Sequence, residues 1–221
     1  MKISVSIDAG DLANIKESLD KVRLADFIHC DIMDGHFVPN ISFGIDICKA
    51  IKKNTVLPLD VHLMVDNPSK HLDKYIEIAE MIAVHFEIQE NAEELLKKIR
   101  QKGVKAGLAI KPQTTIPEIE HLLDKVDFIL VLGVEPGYSG QKFIEDIIPK
   151  FKQLREIQEK KQLNFIIGVD GGINMEIAHQ IDVDLIVSGS YIFNSDNIPD
   201  AISSLRNQES LKNFIEKDAE K

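Results

Sequence analysis

The stretch Ile3-Ser-Val-Ser-Ile-Asp-Ala-Gly-Asp-Leu-Ala-Asn-Ile-Lys-Glu-Ser-Leu-Asp-Lys-Val-Arg-Leu-Ala-Asp-Phe-Ile-His-Cys-Asp-Ile-Met33 holds one complete structural unit and the strand that opens the next. Ile3 to Ile7 reads as a strand. Asp11 to Val22 puts Leu12, Ile15, Leu19 and Val22 on one helical face, and Phe27 to Met33 is a second strand. Strand, crossover helix and strand within about 30 residues imply parallel pairing. The turn after the first strand reads Asp8-Ala-Gly10. It lacks the GxGxxG pattern that marks a doubly wound dinucleotide fold, the main competitor.

The alternation continues outward to the end of the chain. Strands are expected at Val56 to Met64 (with Pro58 limiting its beginning), Met81 to Phe86, Val104 to Ile110, Asp127 to Leu132, Phe165 to Val169 and Leu185 to Val187. Helices are expected at Ile45 to Ile51, Ser69 to Ala79, Ala92 to Lys102 with Gly103 as its stop, Ile116 to Leu123, Ile147 to Glu159, Met175 to Ile181, and from about Pro199. Eight strand–helix units in about 200–250 residues specify an α/β protein with one (β/α)8 TIM barrel, here assigned to residues 1–221 as a single catalytic domain. The polar tail from Gln208 to Lys221 is expected to fray.

Composition narrows the function. The 221 residues carry 26 Lys+Arg against 36 Asp+Glu, a net charge of −10, which argues against a nucleic-acid surface or a polybasic membrane anchor. Two cysteines, Cys30 and Cys48, are too few for a disulfide scaffold. The first residues do not read as a signal peptide, and no apolar run approaches the ~18–20 residues of a membrane span, so a cytoplasmic protein is expected.

In a TIM barrel, chemistry sits where strands end. Those ends read Ser6, His29-Cys-Asp-Ile-Met-Asp34, Asp60-Val-His62, His85-Phe-Glu87, Lys111-Pro112, Glu135-Pro-Gly137, Asp170-Gly-Gly172 and Ser188-Gly-Ser190, while the strand starts are bland. His29 and Asp31 share a face by the two-residue period of a strand. With His62 and Asp170 they would form a His2Asp2 cluster at the barrel mouth. That donor set suits Zn, Fe, Mn or Co better than Ca or Mg. One such histidine alone is ordinary structure; the constellation points to a metal because several ionisable groups near one axis need compensating charge.

Met33 and Met64 follow Asp31 and His62 by two residues, and are read either as core filler or as a polarizable site wall. Gly137-Tyr-Ser-Gly140, Asp170-Gly-Gly172 and Ser188-Gly-Ser190 follow the last three strands, where backbone amides can converge on a phosphate. Cys30 is expected to pack. His36, His71, His121 and His179 are expected in solvent, as is the Lys/Glu-rich face from Gln153 to Gln162. Lys111 offers only weak support for Schiff-base chemistry.

His29-Cys-Asp-Ile-Met-Asp-Gly-His-Phe-Val-Pro-Asn40, Asp60-Val-His-Leu-Met64, Val134-Glu-Pro-Gly-Tyr-Ser-Gly-Gln-Lys-Phe143, Val169-Asp-Gly-Gly172 and Val187-Ser-Gly-Ser190 strongly resemble the ribulose-phosphate 3-epimerase family. The likeness runs from about Ile3 to Phe193. It implies an isomerase of carbohydrate metabolism in the pentose phosphate pathway, built on a ribulose-phosphate-binding barrel. The reaction interconverts D-ribulose 5-phosphate and D-xylulose 5-phosphate with one divalent metal, commonly zinc, with iron, manganese or cobalt as substitutes. Carried over by position, His29, Asp31, His62 and Asp170 match the metal ligands, and Asp31 and Asp170 the acid/base pair. Ser6, His62, Gly137, Tyr138, Ser139, Gly140, Asp170, Gly171, Gly172, Gly189 and Ser190 match the substrate contacts. A homo-oligomer would be in keeping with the family.

The sequence departs from the family pattern at Asp8 (usually apolar), Leu132 (usually Met), Gly133 (usually Thr or Ser), and Ser139 and Gln113 (each usually Gly). These changes leave open the hexulose version of the reaction, an allulose-6-phosphate 3-epimerase. Other readings are a phosphate-binding barrel decarboxylase, opposed by the absence of its Lys-bearing motif in Leu59-Asp-Val-His-Leu-Met64, and a non-catalytic barrel, opposed by the intact ligand set. Inverting C3 of a ketose phosphate requires removing a proton beside the C2 carbonyl and returning one to the other face. That needs two carboxylates held at different protonation states.

Overall fold

In the computed structural model, which describes residues 1–206, eight parallel strands close into a barrel in sequence order, with β1 pairing to β8. The strands are β1 (Lys2–Ser6), β2 (Phe27–Met33), β3 (Leu59–Met64), β4 (Met81–His85), β5 (Lys105–Ile110), β6 (Phe128–Leu132), β7 (Ile166–Asp170) and β8 (Leu185–Ser188). The helices are α1 (Ile15–Lys21), α2 (Ile45–Asn54), α3 (Leu72–Ile76), α4 (Ala92–Gln101), α5 (Ile116–Ile119), α6 (Ile148–Lys161), α7 (Met175–Ala178), α8 (Ser190–Phe193) and α9 (Ile198–Arg206). The barrel read from the sequence is therefore the fold. The tail from Gln208 lies outside the described residues. Among those residues, no helix is long and apolar enough to cross a membrane.

Local chemistry sets the element ends. Asn91 caps α4 by accepting the amides of Glu93 and Glu94, and Leu95, Leu96 and Ile99 turn inward. Gly103 follows at φ +77°, a left-handed conformation that ends the helix. β3 begins at Leu59, three residues later than the apolar run at Val56 suggests. Pro58 has no N–H to donate, although its carbonyl still accepts from Ile28 at 3.0 Å, and Val56 is 97% exposed. The helix expected over 69–79 divides into a 3-10 turn, Pro68–Lys70, and the short α3. The α8 turn was not foreseen from the sequence.

Alternation along the strands builds two layers. Outward residues such as Ile28, Cys30, Val61, Val84, Leu108, Val131 and Val169 pack against helix residues including Leu19, Ile51, Ile99 and Phe151. Each fully buried aliphatic or aromatic side chain there contributes roughly 1.5–3 kcal/mol. Cys30 packs as expected; its hydrogen bond with Cys48, together with burial, pushes its thiol well above the ordinary range. His71 and His179 depart from expectation: both are half-buried, and His179 Nε2 lies 3.1 Å from the carbonyl of Ser204.

The barrel interior is divided. On the β4–β8 side it is largely apolar, built from Met81, Ala83, Ala109, Phe128, Leu130, Leu132, Leu185 and Val187, with His85 at the end of β4 fully buried beside them. On the β1–β3 side the buried polar residues are Ser4, His29, Asp31, Asp60 and His62. Burying a polar group is costly unless it is hydrogen-bonded, and the bonds these residues form define the site.

Candidate active site

The register of β2 on β3 sets Asp31 beside His62. Four atoms, one from each of His29, Asp31, His62 and Asp170, lie within 4.8 Å of one another. Asp31 Oδ1 is 3.1 Å from His29 Nε2 and 3.0 Å from His62 Nδ1. Asp170 Oδ2, at the end of β7, is 3.8 Å and 3.6 Å from the same nitrogens. Two donors bound ~2.0–2.1 Å from one ion sit roughly 2.8–3.4 Å apart as cis octahedral or tetrahedral neighbours and about 4.0–4.2 Å apart when trans; the 3.0 and 3.1 Å distances of Asp31 and the 3.6 and 3.8 Å distances of Asp170 lie within that span, so this donor set is of a size to hold a divalent metal.

The carboxylates and the rings bias one another's protonation. Burial opposes charge on His29, but Asp31 and Asp60 outweigh it and hold its pKa well above the ordinary value. Burial likewise opposes charge on His62, and hydrogen bonding to Asp170 and Asp31 overrides it. Burial alone would raise Asp31; its two histidine neighbours instead hold it far below the usual carboxylate range. Ser6 Oγ donates to Asp31 Oδ2 at 2.9 Å.

Behind this cluster stand Asp60, His85 and Glu87, named at the strand ends in the sequence but given no role there, together with Ser4. Asp60 Oδ2 is 2.7 Å from His29 Nδ1 and accepts from Ser4 Oγ at 2.8 Å. His85 Nε2 is 2.9 Å from His62 Nε2, and His85 Nδ1 is 2.8 Å from Glu87 Oε2. Burial brings the His85 pKa down to about 4, and the hydrogen bond with His85 overcomes burial to bring Glu87 down to about 2. The signal was present in strand parity: Asp60 precedes His62 by two residues, and His85-Phe-Glu87 repeats the spacing of His29-Cys-Asp31.

The cluster opens into a cavity of about 390 Å³. Asp31 and Asp170 line it, as do Ser6, Met33, Met64, Gly137, Tyr138, Ser139, Gly140, Gly171, Gly172, Gly189 and Ser190, so the expected contacts converge on one space. His29 and His62 have no exposed surface and lie behind the carboxylates; His62, expected also to touch substrate, is not part of the cavity wall. Lys111 is also outside that wall, its Nζ 4.2 Å over the Phe37 ring.

Two loops shape the mouth. The segment after β2 folds back through an antiparallel bridge between Asp34 and Ile41, and Ser42 Oγ donates to the Asp31 carbonyl at 2.5 Å. On the far side, Gly172 takes φ +70°, and a Cβ there would lie 2.7 Å from the Phe143 amide nitrogen, so the loops after β6 and β7 meet backbone to backbone. Close backbone approach of this kind exposes amides to an anion.

Asp8 introduces a third carboxyl to the cavity wall, and its Oδ1 is buried without a hydrogen-bond partner. Burial, then repulsion from Asp31, pushes its pKa up to about 8. The native state therefore holds a proton that the unfolded chain releases between about pH 4 and pH 8, and the contribution of Asp8 to stability falls as pH rises through that window. In the metal-free protein, Asp8→Leu is expected to raise unfolding free energy near pH 8 by about 1–3 kcal/mol. The gain should shrink toward pH 4, as read by urea denaturation across pH; a variant that is less stable at pH 8 contradicts the account.

Comparison with known proteins gives a consistent answer. Residues 2–193 match the profile of the Ribulose-phosphate 3 epimerase family. The chain is 38% identical over 213 residues to the ribulose-phosphate 3-epimerase of Bacillus subtilis (strain 168), covering 93% of this chain and 98% of that protein. It is 39% identical over 211 residues to the ribulose-phosphate 3-epimerase of Methanocaldococcus jannaschii, covering 93% and 90%. Among solved structures, KGPDC from Streptococcus mutans superposes with a TM-score of 0.68 at 13% identity, over 92% of this chain and 94% of that one, a likeness of fold.

Proposed function

This chain belongs to the ribulose-phosphate 3-epimerase family, and from that premise we propose that it interconverts D-ribulose 5-phosphate and D-xylulose 5-phosphate through an enediolate. The observation that carries the reading is that Asp31 and Asp170 open onto one cavity while His29 and His62 back them from the barrel interior.

In this reading His29, Asp31, His62 and Asp170 hold one divalent ion, zinc as the expected metal, with iron, manganese or cobalt able to substitute. When bound, the ion supplies Lewis-acid polarisation of the carbonyl beside the inverted carbon. Asp31 and Asp170 do the proton transfer. The ionised carboxylate takes the C3 proton from one face, and the protonated one delivers a proton to the other, so the product has the formula of the substrate. Ser6, bonded to Asp31 Oδ2, keeps that carboxylate aimed. The amides of Gly137 to Gly140, Gly171, Gly172, Gly189 and Ser190 receive the phosphate, and remote binding there positions C3. Met33 and Met64 form an apolar, polarizable wall that excludes water from the enediolate.

Exhaustive chelation, verified by metal analysis, is expected to lower epimerisation at least about 100-fold, with recovery on adding one equivalent of zinc. Full activity in verified metal-free protein overturns the metal assignment. Rates on pentulose and hexulose phosphates in the same assay test the sugar: the pentulose is expected to have the higher kcat/KM, and the reverse order would establish the allulose 6-phosphate reading.

A further inference from the structure

The two histidines of the cluster face it with different nitrogens. His29 turns Nε2 to Asp31 and keeps Nδ1 against Asp60, an acceptor that fixes the proton on Nδ1. His62 is turned the other way: Nδ1 faces the carboxylates and Nε2 points away from the cavity. Its outer partner is a second imidazole, not a carboxylate.

Two ring nitrogens 2.9 Å apart need one proton between them. For His62 to offer a lone pair at Nδ1, that proton must sit on His62 Nε2 and be accepted by His85 Nε2. His85 must then carry its own proton on Nδ1, which lies 2.8 Å from Glu87 Oε2. Glu87 Oε1 accepts the Lys111 amide at 2.7 Å and also the Thr114 hydroxyl. Both bonds favour the ionised, proton-accepting carboxylate, so the direction of the whole chain is set at its outer end. The rings are held in this register: His62 and His85 have centroids 5.0 Å apart at 27°, and Phe37 packs on His85 at 4.5 Å.

We propose that His85, oriented by Glu87, is a positioning residue that fixes the His62 tautomer with its Nδ1 lone pair toward the cluster, and thereby sets how tightly the cluster holds a divalent ion. The proposal rests on the reading of the cluster as a metal site and adds to it two residues outside the ligand set. The Asp60–His29 pair does the same work with a carboxylate in direct contact, whereas the His62 side acts through a neutral ring and a more distant carboxylate.

The test is zinc affinity, by competition with a chromophoric chelator, joined to 15N NMR of the histidine rings in the zinc-loaded protein. His85→Leu fills the space but accepts no hydrogen bond, and is expected to weaken zinc binding roughly 10–100-fold. It should also remove the wild-type signature of a protonated, hydrogen-bonded His62 Nε2. His85→Gln keeps an acceptor oxygen and is expected to stay within about threefold of wild type. Equal affinity in His85→Leu and wild type, or equal loss in the Leu and Gln variants, overturns the proposal, because a space-filling role does not distinguish an acceptor from a methyl. Should His85→Leu not fold, Glu87→Gln is read in its place. Its single acceptor oxygen cannot serve His85 together with the Lys111 amide and Thr114, so weaker zinc binding is expected and unchanged binding overturns the proposal. A wild-type protein that binds no zinc defeats the metal reading itself, a result distinct from an unaltered variant.

Discussion

Asp170→Asn is expected to lower kcat for epimerisation by about 10³-fold or more, while proton exchange at C3 of one epimer continues. The reason is the division of labour that the proposed mechanism gives the two faces. Asp31 is gripped by Ser6 Oγ and two ring nitrogens, whereas Asp170 touches the same rings at 3.6 and 3.8 Å from the opposite wall of the barrel mouth. Removing the Asp170 carboxyl leaves Asp31 able to take and return a proton on its own face, so deuterium from solvent should enter one sugar without inversion. Asn keeps an oxygen donor, and metal content is measured on the same sample to separate loss of the ion from loss of the acid. Normal epimerisation in this variant excludes two-carboxylate transfer.

The second large effect concerns the barrel. Gly107→Ala is expected to destabilise the protein by about 3 kcal/mol or more, or to prevent folding. A Cβ at Gly107 on β5 would lie 2.1 Å from the Phe128 ring on β6, and that ring has no room to retreat because Phe128 is fully buried among the apolar residues of the barrel interior. Interiors at crystal-like density turn one extra methyl into displaced neighbours. Urea denaturation of Gly107→Ala against wild type checks this, and a loss under about 1 kcal/mol would contradict the packing described here.

The barrel was legible because its two periodicities are local. Leu12, Ile15, Leu19 and Val22 reveal a helix, and the alternation in Phe27 to Met33 a strand, without reference to the rest of the chain. Strand parity also brought His29, Asp31, His62 and Met64 to one face, as the structure has them. What parity offered and the reading left unused was Asp60, two residues before His62, and His85 with Glu87. These residues act through other side chains, so only the inter-strand register reveals the partners that give them meaning. Asp8 lay beyond any such rule, since it sits in a 3-10 turn where neither period applies. The tight fit of Phe128 over Gly107 depends on the pairing of β5 with β6, a long-range fact no local pattern carries. Val56 misled because its apolar character suggested a strand that Pro58 delays.

The charge of −10 is compatible with an anionic substrate on this account, because glycine-loop amides and a bound cation face the sugar phosphate while most of the acidic residues lie elsewhere. Glu135, for example, is exposed and receives the Gln113 side chain.

The most direct measurement follows zinc-loaded wild-type protein acting on D-ribulose 5-phosphate in D2O by NMR. The account predicts D-xylulose 5-phosphate carrying deuterium at C3, formed at a rate that falls with removal of the metal. Product formed with the original C3 hydrogen fully retained, or no conversion of this sugar by metal-loaded protein, would contradict it.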